Sequence, residues 1–152
     1  MYGKRRLKDN ARKRGLGGYA PLMHRVIRSA EYIRLSRDAK SLLIDLLAQY
    51  TGNNNGDFCL TWKRMKERGW RSPDTLNKAR KELINAKFIV VSRQGGRHCA
   101  SLYAVTFYAI DECKGKHDIR STFDPSDSWK VEDPRTPLSD RDRSAATHPV
   151  LM

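Results

Sequence analysis

The sequence predicts an α+β domain whose elements run helix–strand–helix–helix–strand–strand, with an extra helix in front and a flexible tail at each end. Three observations predict it. A capped amphipathic segment occupies residues 72–87, SPDTLNKARKELINAK. A shorter helical stretch, 61–68, joins it through Gly69-Trp70-Arg71. Two β-rich runs, FIVVSR and SLYAVTFYAI, then follow around Gly95-Gly96.

Each element has a local physical reason. In 72–87, Ser72 is a good N-cap, Pro73 suits the first helical position, and Asp74 complements the positive end of the helix dipole. Leu76, Ala79, Leu83 and Ala86 fall on one face, while Asp74, Asn77, Lys78 and Lys81 recur at i, i+3, i+4 and i+7 on the other. One side can pack; the other presents an amide and two ammonium groups. Ser36 caps a helix expected over 37–50, in which Ala39, Leu42, Leu43, Leu46, Leu47 and Tyr50 form a wide apolar stripe. Ile44 and Ala48 lie off that stripe, where a second copy could pair, so a homodimer stays open. Before it, a short helix is expected over 22–28 with a bend at Ser29. TGNNNGD, 51–57, is a cluster of turn formers that tolerate positive φ. It is not a phosphate loop: GxxxxGK[ST] is absent, and the cluster leaves a helix instead of opening one.

Phe58-Cys59-Leu60 reads as the first strand. Thr61 can cap the next helix, with Trp62 and Met65 inward and Lys63, Arg64 and Lys66 outward, and Gly69 supplies the positive-φ residue that ends it. Trp70 is expected to wedge the turn. The two β-rich runs form a hairpin with Arg93 and Arg97 flanking its glycines.

Charge points to the partner class. Lys and Arg number 30 against 17 Asp and Glu, a net charge of +13. Residues 1–35 carry +8, residues 36–117 carry +7 and residues 118–152 carry −2. An excess of this size favours polyanions, because each neutralised phosphate releases counterions. Residues 1–18 hold seven basic groups and four glycines but too little apolar surface for a core, and read as a basic flexible arm. Residues 118–152 are rich in Pro, Ser, Asp and Arg and read as a mostly disordered tail, with Phe123 and Trp129 as its large anchors. The domain is expected over 19–117.

Other classes are excluded on composition. No apolar run is long enough to span a bilayer, so no membrane partner is expected. Cys59, Cys99 and Cys113 are odd in number and widely spaced, against a disulfide framework. They form no closely spaced ligand pair with His98 or His117, so no metal is expected. Asp111 and Glu112 are adjacent, yet no nucleophile, base and oxyanion set assembles around them; the reading is not an enzyme, with no cofactor and no small-molecule substrate.

The order of elements, carried by LSRDAKSLLIDLLAQYTGNNNGDFCLTW, RGWRSPDTLNKARKELINAKFI and RQGGRHCASLYAV, resembles the winged helix-turn-helix DNA-binding proteins of bacteria, plasmids and phages. The SxxTLxxAxxEL run is similar to the reader helix of many bacterial repressors. The resemblance covers about residues 19–117 and implies a cytoplasmic protein, at the nucleoid or in an infected bacterial cell, that binds double-stranded DNA. Helix 72–87 would then enter the major groove with Asp74, Asn77, Lys78 and Lys81 at base edges. Ser72, Thr75, Lys63, Arg64, Arg71, Arg93 and Arg97 would hold the backbone or a minor groove. Lys4, Arg5, Arg6, Arg12, Lys13 and Arg14 of the arm would follow the phosphates. A transcription regulator is the leading expectation. A plasmid or phage replication initiator, a winged-helix protein-interaction module and RNA binding are the alternatives.

Overall fold

A computed structural model describes residues 12–15 and 17–131 of the chain. Its elements are α1 (His24–Ile27), α2 (Ala30–Arg34), α3 (Arg37–Leu47), β1 (Phe58–Cys59), α4 (Trp62–Glu67), α5 (Pro73–Asn85), β2 (Ile89–Arg93), β3 (Leu102–Val105) and a 3-10 turn, Cys113–Gly115. The architecture is mixed α+β. The three strands form one antiparallel sheet in the order β1-β3-β2. α3 packs on α5, and α5 on β2.

Helix starts follow the expected chemistry. Ser36 accepts from the Ala39 N–H, and Ser72 accepts from the Thr75 N–H with Pro73 at the first helical position. Thr61 is a correction: it stands at the N-cap of α4, but its side chain makes no capping bond. Ser29 marks a second helix where a bend was expected, because its hydroxyl caps the Tyr32 N–H and restarts the chain as α2.

Helix ends are equally local. Trp70 N–H bonds Met65 O and Gly69 N–H bonds Lys66 O, both at 3.1 Å, the paired arrangement that closes a helix with a left-handed residue. Gly69, at φ +96°, supplies it. The same pair of bonds recurs at the end of α5, from Phe88 to Leu83 and from Lys87 to Ile84. There the left-handed residue is Lys87, at φ +60°, so α5 stops at Asn85, short of the expected 87.

The apolar stripe of α3 meets the apolar face of α5. Ala39, Leu42, Leu43, Leu46 and Leu47 are buried, as are Leu76, Ala79 and Leu83. Phe58, Met65, Phe88, Ile89, Val105 and Phe107 complete the core.

Strands are shorter than their β propensity suggests. β3 pairs from Leu102 to Val105 and then turns, because Asn55 blocks its far end. Asn55 is fully buried. Its amide nitrogen donates to Val105 O (3.0 Å) and Ala109 O (2.8 Å), and its oxygen accepts from Val105 N–H (2.9 Å). In β2 a bulge between Val91 and Arg93 turns Ser92 inward, where its hydroxyl donates to Gly56 O.

Residues 118–131, read from sequence as the start of a disordered tail, return across the body as a strap. Asp118 N–H bonds Ser92 O, Thr122 N–H bonds Ile110 O and Asp127 N–H bonds Thr106 O, each at 2.9 Å. Trp129 is buried and stacks on Phe88 at 5.5 Å with the rings 12° from parallel. Phe123, the other expected anchor, is fully exposed. Among the described residues no helix is long and apolar enough to cross a membrane.

Candidate nucleic-acid interface

The turn between α4 and α5 is locked from below. Asp45 lies in α3 and is buried. One of its oxygens accepts from Arg68 Nε (3.0 Å) and Nη2 (2.9 Å), and the other from the Trp70 indole N–H (2.7 Å). Trp70 is therefore a wedge held at both its backbone and its ring, and α3 anchors the joint between the two helices.

That clamp orients the outer face of α5. Asp74, Asn77, Lys78 and Lys81 are all exposed on it. Lys78 Nζ sits 3.0 Å from Asp74 Oδ2, an i,i+4 pair with both side chains about three-quarters exposed, so the lysine is only weakly restrained. Lys81 has no intramolecular partner among the described residues. Arg80 was missed in the sequence reading. It is half-buried beside the exposed polar face of α5: one guanidinium nitrogen reaches Asn77 Oδ1 and the other the Tyr103 hydroxyl, both at 3.5 Å. Its spacing of three from Asn77 was the available signal. Through it the outer face of α5 touches strand β3, so the helix surface and the base of the hairpin adjoin.

The hairpin tip differs from expectation. Gly96 N–H bonds Cys99 O (2.8 Å) and Cys99 N–H bonds Gly96 O (3.3 Å), which makes Arg97 and His98 the centre of the turn in place of Gly95-Gly96. Neither glycine has positive φ. Gly95 is needed for close approach: a Cβ there would lie 2.4 Å from Ser101 N. Arg97 is exposed at the apex.

The expected backbone contacts separate into two groups. Lys63 and Arg71 are exposed without an intramolecular partner among the described residues, and Thr75 is half-buried beside Ser72, whose oxygen caps the helix. Arg64 is exposed but donates to Gln49 Oε1 at 2.7 Å, and that amide in turn accepts from the Cys59 N–H. Arg93 is not at the tip. Its guanidinium donates to Ala100 O (2.9 Å) and Lys116 O (3.1 Å), while its Nε is buried without a partner. It braces the hairpin against the segment that follows β3, and is withdrawn from the contact set. Of the arm, Arg12, Lys13 and Arg14 are exposed, and Arg14 lies over the Tyr19 ring at 4.4 Å; Lys4, Arg5 and Arg6 lie outside the described residues.

Elsewhere, Cys113 and His117 both flank Gly56, whereas His98 and Cys99 are exposed at the hairpin tip. Asp111 accepts from the Asn55 backbone N–H at 2.8 Å, which gives this carboxylate a structural task. No protein-family model, curated protein or solved structure matches the chain at a significant level.

Proposed function

We propose that this chain is a sequence-specific double-stranded DNA-binding protein of winged helix-turn-helix type, acting as a transcriptional regulator. The observation that carries the reading is the exposed polar face of α5, fixed by the Asp45 clamp and adjoining the sheet whose hairpin ends in Arg97. The order of elements and the sheet order β1-β3-β2 support it. In this reading α5 lies in the major groove. Asn77 suits adenine, and Lys78 or Lys81 suits guanine. Arg80 fills one acceptor site of the Asn77 amide and so biases which way the amide faces. Lys63, Arg71, Ser72, Thr75 and Arg97 hold the sugar–phosphate backbone, and the basic arm adds affinity without sequence information.

Anisotropy titrations against a duplex selected by the protein test this. Affinity should fall linearly on a log–log plot as salt rises. Asn77→Ala should cost about 1–3 kcal/mol at one base-pair position and relax the preference there, while Arg97→Ala should weaken all sequences alike. Binding that ignores both sequence and salt would overturn the reading. The footprint on selected DNA separates the two genetic roles: an inverted repeat supports a dimeric regulator, and iterated direct repeats support a replication initiator.

A further inference from the structure

We propose that the groove between α2, α5 and the strap docks an acidic peptide that carries an apolar anchor. The groove encloses roughly 1250 Å³, and its floor is made by Leu35, Ala86 and Trp129. Its carboxylates are already engaged. Glu82 accepts from Ser36 N–H (2.7 Å) and Ser36 Oγ (2.6 Å). Asp127 accepts from Arg25 (2.6 Å) and Lys130 (2.9 Å), and Glu31 accepts from Val131 N–H (3.4 Å). Three of the cations are in the opposite condition. Arg34, Lys81 and Lys87 are exposed and have no intramolecular partner among the described residues.

An apolar floor under a rim of unpaired cations selects the occupant. A duplex would meet the cations, but its uniformly polar backbone would leave the floor uncovered. A neutral apolar ligand would cover the floor and leave the cations unanswered. An acidic segment with a leucine or aromatic side chain satisfies both, with carboxylates at the rim and the anchor above the Trp129 edge. This site goes beyond the DNA reading and does not rest on it.

The probe is a fluorescein-labelled synthetic peptide of alternating aspartate and leucine, titrated with the full chain in the absence of DNA. Controls replace leucine by serine, or aspartate by lysine. Saturable binding of the aspartate–leucine peptide alone is expected. Arg34→Glu and Lys87→Glu should each weaken it by about fivefold or more, the scale of reversing an exposed charge contact. Lys66→Glu makes the same change of charge at an exposed position of α4 outside the groove and should leave affinity within about twofold. Melting curves on each variant exclude misfolding. Equal binding of the serine peptide, or equal loss with Lys66→Glu, would reduce the effect to bulk charge and overturn the proposal. Absence of peptide binding, with Arg34→Glu weakening a duplex instead, would assign the groove to DNA and overturn it as well.

Discussion

The side chain of Asn55 terminates strand β3 from inside the protein, supplying donors to Val105 O and Ala109 O and an acceptor to Val105 N–H. In sequence it is the last of three consecutive asparagines in a turn-forming cluster, and nothing local distinguishes it from Asn53, which is exposed. Its partners lie some fifty residues away, so only the returning chain reveals its task. Because those backbone groups are buried, Asn55→Ala should cost about 2–4 kcal/mol, the penalty for orphaning a buried donor together with acceptors. The midpoint of urea unfolding measures it; a loss below about 1 kcal/mol would mean that water replaces the amide. Lys87 poses the reverse case. It holds φ +60° at the end of α5 and its side chain has no partner among the described residues, and Lys87→Gly should stabilise the fold by about 0.5–1 kcal/mol by removing that strain. Loss of stability would show that the Lys87 stem packs usefully.

At the scale of elements, the important joint is the one between α4 and α5. Its backbone closure was legible, since Gly69 and Trp70 occupy the positions where a left-handed residue and an apolar neighbour end a helix. Its side-chain lock was not, because Asp45 reads as an ordinary polar position off the apolar stripe of α3. Two interactions meet at Asp45, and magnitudes decide between them. Arg68 is about half exposed, so its ion pair is screened and contributes at most about 1 kcal/mol. The Trp70 indole N–H is buried, and among the described residues the Asp45 carboxylate is its only partner, lost when that group is removed. Asp45→Ala should therefore cost about 2–3 kcal/mol, and Arg68→Ala less than about 1 kcal/mol. Chemical denaturation of the two variants tests the ranking. Equal losses would place the energy in the ion pair instead of the indole. The hairpin illustrates the same division: its strands follow from β propensity, but the bracing role of Arg93 depends on where residues 100 and 116 pass.

Across the whole molecule, the strap joins the two ends of the described chain. Arg25 in α1 pairs with Asp127, and Trp129 is seated on Phe88. Burial by itself would raise the Asp127 pKa, but the hydrogen bonds and charges of Arg25 and Lys130 outweigh it and hold the carboxyl below its usual value of 3.8. A depressed folded-state pKa stabilises the fold above the unfolded value, and that contribution is lost as pH falls through 3.8 and then through the lowered folded-state value. Acidification should therefore loosen the strap and expose Trp129, seen as a tryptophan fluorescence change in that window. Asp127→Asn should remove this component while leaving the rest of the acid transition. An unchanged profile would mean that the stacked ring holds the strap without the carboxylate.

What the amino-acid order determined by itself was whatever acts within about one helical turn or one strand: the caps at Ser36 and Ser72, the apolar stripes of α3 and α5, the glycine after α4, and the excess of positive charge. These are interactions between neighbours in the chain, so their signals are local. Tertiary structure alone decided the roles of Asn55, Asp45, Glu82 and Arg93, the packing of the strap, and the groove beside α5. Each depends on polar groups or rings brought together from distant parts of the chain, and a side chain's partner is set by which backbone arrives beside it.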